Sequence, residues 1–147
     1  MAMLLFMGGP QACFAQRPSA EETIAFINKK LVANTTLDVR KRVLVSQSFD
    51  ANHKLYREDR VICSELDVTR MGFESKDSLF FIPCLGDAGS CVEREMLITG
   101  NSRPYPRISF ILSNGAADLA AVKKAFLHLE QLIDNPKYKE SVVFEQK

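Results

Sequence analysis

Three cysteines and one histidine are the residues of this chain best equipped for chemistry. Cys84 and Cys91 flank residues 85–90, and strand-like runs lie on either side. Mirrored positions at the ends of a hairpin bring cross-strand Cβ atoms close enough for a disulfide. Closing so short a loop stabilises by about 2.5 kcal/mol in the chain-entropy model. Cys63 is then left over, and its expected role is that of a small buried hydrophobe. A zinc site drawn from these three cysteines and His53 has enough ligands, but neither C-x-x-C nor H-x-x-x-H spacing supports it. No metal and no cofactor are therefore expected.

Nucleophilic catalysis needs a base held against the nucleophile. The chain has two histidines. His53 falls in the turn around residues 50–54, where Asp50 could orient it toward Ser46, Ser48 or Cys63. No G-x-S-x-G motif accompanies that set, so no catalytic residue is assigned. His128 lies off the apolar stripe of the last helix, beside Lys124, and reads as a solvated surface residue. Gly86 and Gly89 lack the strand–G-x-G-x-x-G–helix setting of a phosphate cradle.

Basic residues come next. Arg40, Lys41 and Arg42 precede one strand, and Lys54, Arg57 and Arg60 follow its turn. Asp50, Glu58 and Asp59 lie among them and would blunt a phosphate site, so the cluster reads as a self-neutralising wet face. Arg103-Pro104-Tyr105-Pro106 reads as a stiff loop with an exposed aromatic, a contact point for a partner. Arg103, Tyr105 and His53 are thus the candidate binding residues. Asn34-Thr35-Thr36 fits the glycosylation sequon on an expected loop.

Composition narrows the classes. At 147 residues the chain fits one domain, and its 46% apolar and 25% charged fractions are those of a globular protein. Nineteen basic against eighteen acidic residues give a net charge of +1, so no overall field favours nucleic acid. The expected partner is a protein, a peptide or a small ligand. No run approaches the roughly 18 apolar residues of a membrane span. Residues 1–15 hold the apolar run Met3-Leu4-Leu5-Phe6-Met7 and end in Cys13-Phe14-Ala15, small at the −3 and −1 positions of a cleavage site. They read as a shortened signal peptide, which places residues 16–147 in the periplasm or outside the cell. A cytoplasmic chain with a weakly docked N-terminus is the alternative.

The elements that must position these residues follow from periodicity. Ser19 and Glu22 form a capping box that opens a helix over 20–32, with Ile24, Ile27 and Leu31 on one stripe. From Arg42 the period turns to two, giving strands over 43–49, 55–63, 65–73, 78–84, 91–98 and 107–112. The segments 78–84 and 91–98 are expected to pair as a hairpin around the two cysteines. Leu119, Val122, Phe126, Leu129 and Ile133 form the stripe of a terminal helix, capped by Ser113 or Asn114 and stopped at Asn135-Pro136.

About six antiparallel strands followed by a helix resemble the pleckstrin-homology-like architecture over residues 43–134. That resemblance implies an α+β fold: a bent sheet or partly open barrel capped by the C-terminal helix, with an extra N-terminal helix. In that family the loop joining the first two strands can hold phosphoinositide headgroups, which here would carry over only to Lys41, Arg42, Lys54 and Arg57. A cystatin- or nuclear-transport-factor-like helix wrapped by a curved sheet is the rival. The expected function is a non-catalytic exported binding domain acting through a sheet edge or an open end. A small periplasmic enzyme or inhibitor-like module, acting through the His53 turn or the 103–106 loop, is the alternative.

Overall fold

The computed structural model describes residues 17–134. The signal-peptide expectation and the Asn135-Pro136 helix stop lie outside the described residues. The chain is α+β. Helix α1 (Ala20–Lys30) is followed by β1 (Thr35–Arg40), β2 (Val43–Phe49), β3 (Leu55–Ile62), β4 (Gly72–Glu74), β5 (Leu79–Pro83), β6 (Val92–Met96), β7 (Asn101–Tyr105) and β8 (Arg107–Ile111), and helix α2 (Leu119–Asp134) ends it.

The strands form two antiparallel sheets rather than one bent sheet. One runs β1-β2-β3-β6-β7 and the other β4-β5-β8, and they do not close into a barrel. Eight strands thus replace the expected six. Two of the differences have clear causes. β1 was hidden by the turn at Lys41-Arg42, because Lys41 takes the left-handed conformation (φ 60°) where glycine or asparagine is the usual signal. The expected strand 65–73 is instead two 3-10 turns, Cys63–Glu65 and Val68–Arg70, before the short β4. Asp67 enforces the second turn: its carboxylate accepts hydrogen bonds from the Thr69 amide and hydroxyl.

The capping box forms as its sequence dictates. The Ser19 hydroxyl accepts from the Glu22 amide at 3.1 Å, and the Glu22 carboxylate accepts from the Ser19 amide at 2.9 Å. Asn28 on the same helix reaches β1. Its amide donates to the Leu37 carbonyl at 2.9 Å and its carbonyl accepts from the Leu37 amide at 2.7 Å. One side chain thereby satisfies backbone groups of an edge strand that would otherwise need water. The start of α2 differs from expectation. A 3-10 turn at Gly115–Asp118 precedes it, and the Asn114 amide donates to the Asp118 side chain instead of capping the helix.

The core collects Leu37, Leu44, Val61 and Val92 from the first sheet and Phe80, Ile82, Ile108 and Phe110 from the second. Ile27 and Leu31 of α1 and Val122, Phe126, Leu129 and Ile133 of α2 complete it. Phe126 stacks on Phe80 and Phe110 at centroid distances of 5.5 and 5.6 Å. The helix stripe therefore packs as expected, with Leu119 partly buried at its start.

Cys84 and Cys91 form a disulfide, with Cα atoms 5.8 Å apart. They do not close a hairpin. β5 pairs with β4 and β8, while β6 pairs with β3 and β7, so the bond joins one sheet to the other. The loop holds a 3-10 turn and Gly89 at φ 62°, and the chain changes sheets there. Cys63 is buried in the core and stands apart from the disulfide.

Candidate functional site

Strand register builds a polar face at one end of the five-stranded sheet. The pairing sets Ser46, Asp59, Arg94 and Arg103 in one cross-strand row, beside a second row of Ser48, Arg57, Met96 and Asn101. Alternation then places these residues on the face that carries Leu44, Val61 and Val92 further along. The same face is apolar core toward the disulfide and polar toward the opposite end of the strands.

Two cavities open at that polar end. One, of about 310 Å³, lies between the sheets and is lined by Ser48, Tyr56, Arg57 and Arg94 on one side and Leu79, Ser109, Phe110 and Ile111 on the other. The second, of about 400 Å³, is lined by Tyr56, Arg57, Arg94, Met96, Asn101, Arg103 and Tyr105. Tyr56, Arg57 and Arg94 belong to both, so the two adjoin and together make up the basin. Tyr56 reaches it through a β-bulge: Ser48 pairs with Arg57 and Phe49 with Leu55, which leaves Tyr56 unopposed. Bulges commonly re-aim a side chain in this way.

Asp59 lies beneath the basin with its side chain fully buried. Arg94 binds it in two places, Nε to Oδ1 at 2.9 Å and Nη2 to Oδ2 at 3.1 Å. Arg57 adds a weaker contact, Nη2 to Oδ2 at 3.7 Å. A buried carboxylate held this way is compensated; one without a partner would be strongly destabilising. The Arg94 guanidinium also sits 4.1 Å from the centroid of the Tyr105 ring. Burial alone pulls the Arg94 pKa down. The hydrogen bonds and charge of Asp59, with help from Tyr105, outweigh it and hold the pKa above its ordinary value.

The charge does not cancel. Arg57 and Arg94 contact Asp59 and Arg103 follows Arg94 in the row, three cations against one anion. Arg103 is exposed, and its side chain makes no hydrogen bond or ion pair among the described residues. The Ser46 hydroxyl, next to Asp59 in the row, is a buried side-chain oxygen without a hydrogen-bond partner. Native proteins rarely bury such a group unsatisfied.

Of the sequence candidates, Arg103 and Tyr105 line this basin, though they lie on β7 and not in a loop. His53 does not join them. It is exposed, at φ 61°, in the β2–β3 turn, and lines neither cavity. The Asp50 carboxylate that was to orient it accepts instead from the amides of Asn52 at 2.8 Å and Lys54 at 3.0 Å. His128 is not a freely solvated residue either: its Nε2 lies 2.8 Å from the Pro18 carbonyl oxygen, where the helices form a groove of about 910 Å³. Among the described residues no cluster of three His, Cys, Asp or Glu could hold a metal, and no helix is long and apolar enough to cross a membrane.

The reading of the basic cluster as one self-neutralising wet face is corrected at Arg57 and Asp59 by strand parity. Glu58 and Arg60 occupy the outer face, where Arg60 pairs with Glu58 and lies 3.6 Å from Glu95. Arg57 and Asp59 point inward. The signal was present, since Asp59 shares its face with Val61 and Arg94 shares its face with Val92. No protein-family model matches this chain, and neither a curated protein nor a solved structure gives a match.

Proposed function

We propose that this protein is a non-catalytic, exported binding domain that takes a small ligand into the basin at the open end of its two sheets. The observation that carries this reading is an excess of polar capacity in a concave site. Arg57 and Arg103 line it with side-chain donors that have no hydrogen-bond partners among the described residues. A core built only for stability satisfies or omits such groups. Tyr56 and Tyr105 add apolar walls with polar tips, a composition usual in ligand sites. The Cys84–Cys91 disulfide supports an oxidising compartment, and the apolar N-terminal run supports export. The pleckstrin-homology-like comparison enters only as element order, strands followed by a terminal helix.

A fragment screen followed by NMR tests the reading. The side-chain Nε signals of Arg57, Arg94 and Arg103 and the rings of Tyr56 and Tyr105 are expected to shift together with hits. Hits confined to the groove lined by Phe26, Ala125 and His128 would move the site to the helices and overturn it.

A further inference from the structure

We infer that the basin recognises the dianionic head of a small phosphate monoester, an inference that rests on the basin being the ligand site. Arg57, Arg94 and Arg103 line the two cavities, and neither lining contains an acidic residue. Asp59 beneath offsets one cation, which leaves two positive charges, three minus one, in a partly buried space. A dianion matches that surplus. A neutral ligand would leave guanidiniums drawn from water without a counter-charge.

The free donors are the ones an oxyanion uses. Arg94 commits Nε and Nη2 to Asp59 and stacks on Tyr105, so the free donors lie mainly on Arg57 and Arg103. Arg57 stands 3.7 Å from the carboxylate and makes no hydrogen bond, so its fork remains available. The Ser48 hydroxyl and the Asn101 amide lie in the same linings. Guanidinium forks fit the oxygens of a phosphoryl group in pairs, and such charge-assisted bonds are stronger than neutral ones. Asp59 acts here as a positioning residue, because it fixes the plane of Arg94 before any ligand arrives.

Size argues for a monoester over the bare ion. Either cavity, at about 310 or 400 Å³, exceeds what one phosphate fills. Tyr56 and Tyr105 give the remainder an aromatic wall suited to an uncharged organic body.

The test titrates the full chain with phenyl phosphate, phenol and inorganic phosphate, reading backbone and arginine Nε signals by NMR. Phenyl phosphate is expected to bind tightest and shift Arg57 and Arg94, inorganic phosphate to bind weakly at the same signals, and phenol not to shift them. R57Q is expected to weaken phenyl phosphate roughly ten-fold or more, with R57K recovering part of the loss. Binding should also fall below a pH of about 6, where the ester takes up its second proton. Circular dichroism of R57Q keeps a folding defect separate from a binding one, and R103Q supplies the measurement if R57Q fails to fold. Phenol matching phenyl phosphate, or an arginine-to-glutamine change without effect, would overturn the inference. If uncharged screening hits still shift the basin signals, the binding reading survives that failure. If nothing shifts them, both readings fall.

Discussion

Arg94 and Asp59 meet face to face across β6 and β3, with two hydrogen bonds at 2.9 and 3.1 Å, and only the arginine retains any exposure. That asymmetry decides what each substitution does. Arg94→Met leaves a buried carboxylate with only the 3.7 Å contact to Arg57 and is expected to cost about 3 kcal/mol. Asp59→Asn leaves a cation that can turn toward water and should cost less. Urea unfolding of both single variants and the double variant measures the coupling. Strictly additive costs would show that the pair does not act as a unit.

Joining separate sheets gives the disulfide a measurable signature. Cys84→Ser is expected to lower stability by about 2.5 kcal/mol, with no further loss on adding reductant. Alkylation of the oxidised protein should leave Cys84 and Cys91 blocked together, while Cys63 reacts only on unfolding because it is buried. Labelling of Cys84 in the folded, non-reduced protein would refute the bridge.

Phe126 and His128 sit two residues apart and should differ sharply. Phe126→Ala removes the ring stacked between Phe80 and Phe110 and is expected to cost about 3–5 kcal/mol. His128→Ala removes one hydrogen-bonding contact to the Pro18 carbonyl and should cost about 1 kcal/mol. Thermal or urea unfolding gives both numbers. Equal costs would mean that the stripe of α2 is not the packed side.

What the sequence disclosed depended on whether the signal was local. Ser19 and Glu22 lie three residues apart, and the stripe of α2 repeats within one element, so both were legible. The cysteine pairing was legible too, though for an incomplete reason, since nearness in sequence does not say whether one sheet or two lie between the cysteines. The basin was not read. Its members come from β3, β6 and β7, and only pairing register aligns Asp59 with Arg94 and Arg94 with Arg103. Arg103 and Tyr105 were singled out for stiffness and exposure, while their neighbours across the sheet stayed hidden among ordinary charges. His53 stands out as a histidine in a turn beside Asp50, but the hydrogen bonds that use up the Asp50 carboxylate cannot be seen in composition.

The Cys84–Cys91 bond follows β5 and precedes β6, whereas Leu79 and Met96, at the far ends of those strands, border the cavities. The two sheets are therefore like tweezers welded at the heel. The side-chain cross-link thus sits at the end away from the cavities, and the end that borders them relies on packing and hydrogen bonds such as Val32 N–H to the Ile111 carbonyl.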